Sequence, residues 1–124
     1  MITGFEEQTE PLTDMEREVF LPPIIKGLCV KVGKQKAVTN KDIVRGLKAN
    51  CDIKIGEARV RKIINHIRNN DIIPCLIATS KGYYIAETPE EVDDYIDSLY
   101  GRIEAITADA ESMKRQKSER WPTS

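Results

Sequence analysis

Apolar residues return along the chain in blocks that change period, and each block predicts an element. Thr13 and Glu16 stand three apart ahead of Phe20 and Leu21, the spacing of a capping box, so a helix is expected from Thr13 through Leu21. Pro22 and Pro23 lack the N–H groups that a helix uses and are expected to stop or kink it. Beyond them Ile24, Ile25, Leu28 and Cys29 recur at helical spacing, which predicts a second apolar turn up to about Val32. Gly33 to Lys36 reads as a basic loop and Ala37-Val38 as a short strand. Thr39, with Asp42 three residues on, caps the next helix. Its buried face is Ile43, Val44 and Leu47, and its end is expected near Ala49-Asn50. A turn through Cys51, Asp52, Ile53 and Lys54 follows. From Gly56 to about Asn69 the pattern is helical again, because Val60, Ile63, Ile64 and Ile67 cluster on one side at 100° per residue.

The period then switches to that of a strand. Ile72 to Ser80 is apolar and β-branched, Lys81-Gly82 is a tight turn, and Tyr83-Tyr84-Ile85-Ala86 returns as a second strand, so a hairpin is expected. Thr88-Pro89-Glu90-Glu91 supplies an N-cap, a proline at the first helical position and acids in the first turn. The helix that it starts is expected to run to Lys117. Residues 1–12 are polar, acidic and aperiodic and are expected to be disordered, and the tail of residues 118–124 is expected to fray.

The order helix, short strand, helix, turn, helix, hairpin, carried by Val38 to Ala86, resembles the winged helix-turn-helix fold. Val38-Thr39-Asn40-Lys41-Asp42-Ile43 is similar to the strand and second-helix start of such domains, and Glu57 through Arg68 resembles a recognition helix. Ile72-Ile73-Pro74 through Ser80-Lys81-Gly82-Tyr83-Tyr84-Ile85 resembles the wing, with a Lys-Gly-Tyr tip similar to that of the biotin-operon-repressor type. The resemblance implies an α+β, mostly helical fold. A three-helix core plus a β-hairpin wing would occupy residues 13–87, and a long C-terminal helix residues 88–117. One departure stands out: twelve residues separate Leu47 from Val60, more than a compact helix-turn-helix needs, so a lengthened turn around Cys51 to Ile55 is expected.

A chain of 124 residues, 40% hydrophobic and 31% charged, holds one modest core with room for an appended helix. Its net charge of −1 conceals a division along the sequence. Residues 1–25 carry six acids and one base, residues 26–87 thirteen bases and five acids, and residues 88–124 nine acids and five bases. A middle segment at +8 between ends at −5 and −4 points to an anionic partner for the middle alone, although a solvated lysine face would carry the same charge. The longest uncharged stretch, Ile72 to Ser80, is too short to span a bilayer, and no basic region followed by an apolar run marks a secretory signal. Cys29, Cys51 and Cys75 are odd in number and far apart, which suits buried thiols in a reducing cytoplasm better than a disulfide framework.

Those constraints focus the chemistry on the supposed recognition helix. Opposite its isoleucine stripe lie Ala58, Lys62, Asn65 and Asn69, with Arg59 and His66 on one edge and Arg61 and Arg68 on the other. Arginine or lysine for guanine and phosphate, and asparagine for adenine, is the mixture that duplex DNA contact uses. Lys62 and Asn65 are expected nearest base edges, and Arg61, Arg68 and Lys81, the last at the hairpin turn, nearest phosphate. Lys34, Lys36 and Lys41 lie ahead of or within the first turn of the second helix, whose N-terminus also attracts anions. An ordinary solvent face and a good Lys-Gly turn are the plainer readings of these residues.

Other chemistries lack their constellations. There is no CxxC or HxxxH pair, and Cys51 with His66 is not a ligand set, so no metal is expected. Gly27 to Lys34 has five residues between its glycines and Gln35 where a phosphate loop needs serine or threonine. With one histidine and no GxSxG elbow, no nucleophile is evident, and Glu90, Glu91, Asp93 and Asp94 suit a helix start better than acid–base work. The expectation is a non-enzymatic protein without cofactor.

The C-terminal helix has the sharpest pattern. Val92, Ile96, Leu99, Ile103, Ile106, Ala110 and Met113 alternate by four and three, with Ile96, Ile103 and Ala110 at one seam position and the rest at the other. Isoleucine at the first and leucine at the second favours a parallel two-stranded coil, with Asp109 and Lys114 as one attractive cross-pair. Tyr95 and Tyr100 widen the stripe in a way that suits docking on the chain's own domain instead. The sequence thus predicts a cytoplasmic homodimer that binds double-stranded DNA, as a transcriptional regulator or a phage or plasmid replication accessory factor. A winged helix used for contact with an acidic protein, or a regulatory subunit of a larger complex, is the alternative.

Overall fold

A computed structural model describes residues 10–122, and in it the apolar blocks become helices joined to one small hairpin, an α+β and mostly helical architecture. Thr13 and Glu16 form the expected capping box. The Glu16 amide donates to Thr13 Oγ1 (3.1 Å) and the Thr13 amide to Glu16 Oε1 (2.9 Å). The prolines do not break the helix that follows. A π-helical segment, Glu16–Phe20, runs directly into α1, Leu21–Leu28, with Pro22 and Pro23 at its start. The Leu21 amide, the last before the prolines, reaches five residues back to the Glu16 carbonyl, so the turn is widened where the prolines cannot donate. Leu12, Glu16, Phe20, Ile24 and Leu28 are buried at intervals of four, longer than the 3.6 of an α-helix, and the wider turn takes up the excess. α1 ends at Leu28, short of Val32. Leu12 belongs to the core, so the folded unit begins before Thr13; residues 1–9 of the expected disordered tail lie outside the described residues.

The basic loop holds a 3₁₀ turn, Lys34–Lys36, and Val38 makes an antiparallel bridge to Tyr83. Thr39 then caps α2, Asn40–Cys51, with both halves of a capping box made to Asp42. α2 runs past the expected end at Asn50 and closes on Asp52, which adopts the left-handed conformation (φ 53°) that aspartate tolerates. The turn expected around Cys51 to Ile55 is thus present, except that Cys51 itself belongs to α2. Only residues 52–56 link α2 to α3, Glu57–Asn69, and Ile55 buries its side chain while Ile53 packs against the core. α1 packs on α2 and α2 on α3. α3 contributes Val60, Ile63, Ile64 and Ile67, all essentially inaccessible, and burying each stabilises the fold by on the order of 2 kcal/mol.

The hairpin is shorter than its apolar run. β1, Leu76–Thr79, pairs antiparallel with β2, Gly82–Ile85; Leu76 faces Ile85, Thr79 faces Gly82, and Ser80-Lys81 is the turn. Residues 72–75 are a loop instead, with Asp71 and Cys75 both at positive φ (54° and 61°) and Ile73 buried. An apolar run with β-branched residues is equally at home in a loop that caps the core. β2 is tied to the N-terminal half on both sides of the chain reversal. The Tyr83 amide donates to the Val38 carbonyl (2.7 Å), and the Ile85 amide to the Lys31 carbonyl (2.7 Å). Gly82 allows this approach: its φ is 124°, and a Cβ there would lie 2.5 Å from the Val38 oxygen.

All three cysteines are exposed, contrary to the expectation of buried thiols. Cys29 follows the end of α1, Cys51 ends α2 and Cys75 lies in the loop before β1, all places where the backbone leaves the core. The chain divides into two compact units, one ending at Glu87 and the other beginning at Thr88. The second is α4, Pro89–Arg120, with Thr88 Oγ1 accepting from the Glu91 amide (3.3 Å) and no buried residue along its length. α4 passes the expected end at Lys117, and the Arg120 guanidinium lies 5.0 Å from the centre of the Trp121 ring. No described helix is long and apolar enough to cross a membrane.

Candidate nucleic-acid interface

α3 is amphipathic as its sequence predicts, but its polar side is not uniformly open. Lys62, expected at the middle of the exposed face, has a side chain only 11% accessible. Its Nζ donates to Glu16 Oε1 at 2.7 Å, the same oxygen that accepts from the Thr13 amide. Arg59 Nε lies 3.2 Å from the other oxygen, Glu16 Oε2, and its guanidinium sits 5.4 Å from the Phe20 ring centre. The π-helical segment thus lies over one edge of α3 and neutralises two of its cations. Burial alone would raise the Glu16 pKa. The Lys62 hydrogen bond, the Thr13 amide and the charges of Lys62 and Arg59 more than offset it and hold the carboxyl below its ordinary value.

The other edge of α3 is different. Ala58, Arg61 and Asn69 are exposed and Asn65 and Arg68 half-buried, while His66, on the edge of Arg59, is half-buried too. Arg61 makes a loose contact with Glu57 (3.9 Å), and His66 Nδ1 is 3.3 Å from Asn70 Nδ2. The positive charges of Arg61 and Arg68 favour the ionised form of Tyr83 in the hairpin. Burial is the larger influence and raises the Tyr83 pKa, while the hydrogen bond to Asn40 opposes it. That bond, from the Tyr83 hydroxyl to Asn40 Oδ1 (2.6 Å), joins the hairpin to the first residue of α2. Lys41 follows Asn40 and Lys81 precedes Gly82 at the turn, and both are exposed, as are Lys34 and Lys36.

Two cations of α2 are engaged locally, Arg45 with Asp42 and Lys48 with Asp52, in exposed pairs. At the N-terminus of α2, Thr39 Oγ1 takes the Asp42 amide, and the Asp42 carboxylate accepts from the Thr39 amide. Hydrogen bonds from the Thr39 backbone and side chain lower the Asp42 pKa, so an ionised acid already occupies the end expected to attract anions.

No family model, curated protein or solved structure matches the chain.

Among the described residues no group of three or more His, Cys, Asp or Glu side chains could hold a metal ion. The arrangement joins Tyr83 to Asn40 by a hydrogen bond, while Lys62 and Arg59 are held by Glu16. Sequence reasoning missed Tyr83 and Asn40 because they meet across 43 residues; the only local signal was a tyrosine directly after the turn glycine.

Proposed function

We propose that the first unit is a winged helix-turn-helix that binds double-stranded DNA without catalysis, and that two copies associate through α4. α3 would be the recognition helix and the β1–β2 hairpin the wing. The observation that carries this reading is the positive charge left after internal pairing. Arg61, Lys41 and Lys81 are exposed, with Lys41 next in sequence to Asn40 and Lys81 at the hairpin turn beside Gly82. Among the described residues the acid that Arg61 contacts, Glu57, is 3.9 Å away, too long for a strong pair.

Cations of this kind position a protein on phosphate, whereas Ala58 and Asn65 on the same side of α3 suit close approach and an adenine edge. Lys62 is reassigned: with Glu16 as its partner it supports the fold and does not reach bases. A regulator of transcription or an accessory factor of phage or plasmid replication is the role that such a domain fits. The test is fluorescence anisotropy of a random-sequence duplex at two salt concentrations. Binding whose log affinity falls linearly with log salt, by about 0.9 per phosphate contact, is expected; absence of binding at low salt contradicts the proposal.

A further inference from the structure

α4 carries an apolar stripe with no buried residue. Ile103, Ile106 and Met113 are 55%, 66% and 62% exposed. The four-and-three repeat from Val92 to Met113 reaches one further seam position at Lys117. We propose that this stripe pairs with α4 of a second copy in the antiparallel direction. The proposal rests on the homodimer reading above and reverses the parallel direction that the isoleucine and leucine positions favour by themselves.

Charge and size along the seam decide the direction. In a parallel, in-register pair each seam residue meets its own counterpart. Ala110 then faces Ala110, leaving a gap, and Lys117 faces Lys117, setting two like charges at the seam. The flanks offer Tyr95 with Tyr100, Arg102 with Thr107 and Asp109 with Lys114, a single attractive combination. An antiparallel pair centred between Ile103 and Ile106 arranges the same residues differently. Ile103 faces Ile106 of the second copy, Leu99 faces Ala110, Ile96 faces Met113, and Val92 faces the aliphatic stem of Lys117. Each small or charged seam residue now meets a large apolar one. On the flanks Arg102 comes beside Asp109 and Asp93 beside Lys114, two attractive combinations, each repeated by the two-fold axis. Tyr95 meets Gln116 and Tyr100 meets Thr107, so no like charges oppose one another. Lys114 has only an exposed contact with Glu111 of its own helix (3.5 Å), which leaves it able to turn to a partner.

Sedimentation equilibrium of the full chain tests the pairing. Arg102→Glu should weaken the dimer about tenfold, because both symmetry copies of the Arg102–Asp109 pair become repulsive, and adding Asp109→Arg should restore it by exchanging the charges. If Arg102→Glu changes nothing and the double variant weakens association, the direction is parallel; the antiparallel proposal then fails while the homodimer stands. A wild-type chain that stays monomeric at high concentration overturns both. A spin label at Ser118→Cys, with the exposed Cys29, Cys51 and Cys75 changed to serine, gives a second readout. With a rise of 1.5 Å per residue, the two labels should lie about 40 Å apart; a separation under about 20 Å overturns the antiparallel arrangement.

Discussion

Glu16 shows how one buried carboxylate can decide which face of a helix is available. It accepts from the Thr13 amide and from Lys62, and Arg59 closes on its second oxygen. Removing it strands Lys62, whose side chain is nearly inaccessible. Glu16→Ala should therefore destabilise the chain by about 2–4 kcal/mol in urea unfolding. The pH dependence follows from the same contacts. The folded pKa of Glu16 lies below its ordinary value, so its contribution is complete above the unfolded pKa and is lost as pH falls through the lower folded value. Glu16→Gln should flatten the fall in stability on acidification, leaving the part due to Asp42, whose pKa is also lowered. An unchanged acid limb in Glu16→Gln would show that the pairing contributes nothing. Gly82 is the second decisive residue. At φ 124° with the Val38 carbonyl against it, Gly82→Ala should cost about 1–3 kcal/mol and loosen the hairpin from α2, measured as faster amide exchange at Tyr83.

Elements were legible where their causes are local. The stripe of α3 and the caps at Thr13, Thr39 and Thr88 were all readable, because each depends on residues three or four apart. The prolines misled because the compensating π turn lies before them, at Glu16–Phe20, and leaves no residue signature except burial at every fourth position. The split between the two edges of α3 was illegible for a related reason. Lys62 and Glu16 are 46 residues apart, and nothing in α3 itself announces which edge will be covered. The hydrophobic pattern located the hairpin but not its length, since positive φ at Asp71 and Cys75 sets where β1 begins. The capping box of α2 gives a check at this scale: Thr39→Ala should destabilise the fold by about 1 kcal/mol, and a change below a few tenths would mean the cap is idle.

For the molecule as a whole, charge is partitioned between units more sharply than composition suggests. The first unit, residues 1–87, sums to +3 because its +8 segment, residues 26–87, outweighs the −5 of residues 1–25, and the second unit, residues 88–124, carries −4. Glu16 engages Lys62 and Arg59 of α3, while Arg61 has only a loose contact with Glu57 and Lys81 lies exposed at the hairpin turn. That distribution is the central claim, and salt titration of duplex binding by matched variants tests it most directly. Arg61→Ala combined with Lys81→Ala should weaken binding to all sequences and make the slope of log affinity against log salt shallower by about two units, whereas Lys62→Ala should leave that slope unchanged and lower stability instead. An unchanged slope in the Arg61/Lys81 variant, or a shallower one in Lys62→Ala, would contradict the account.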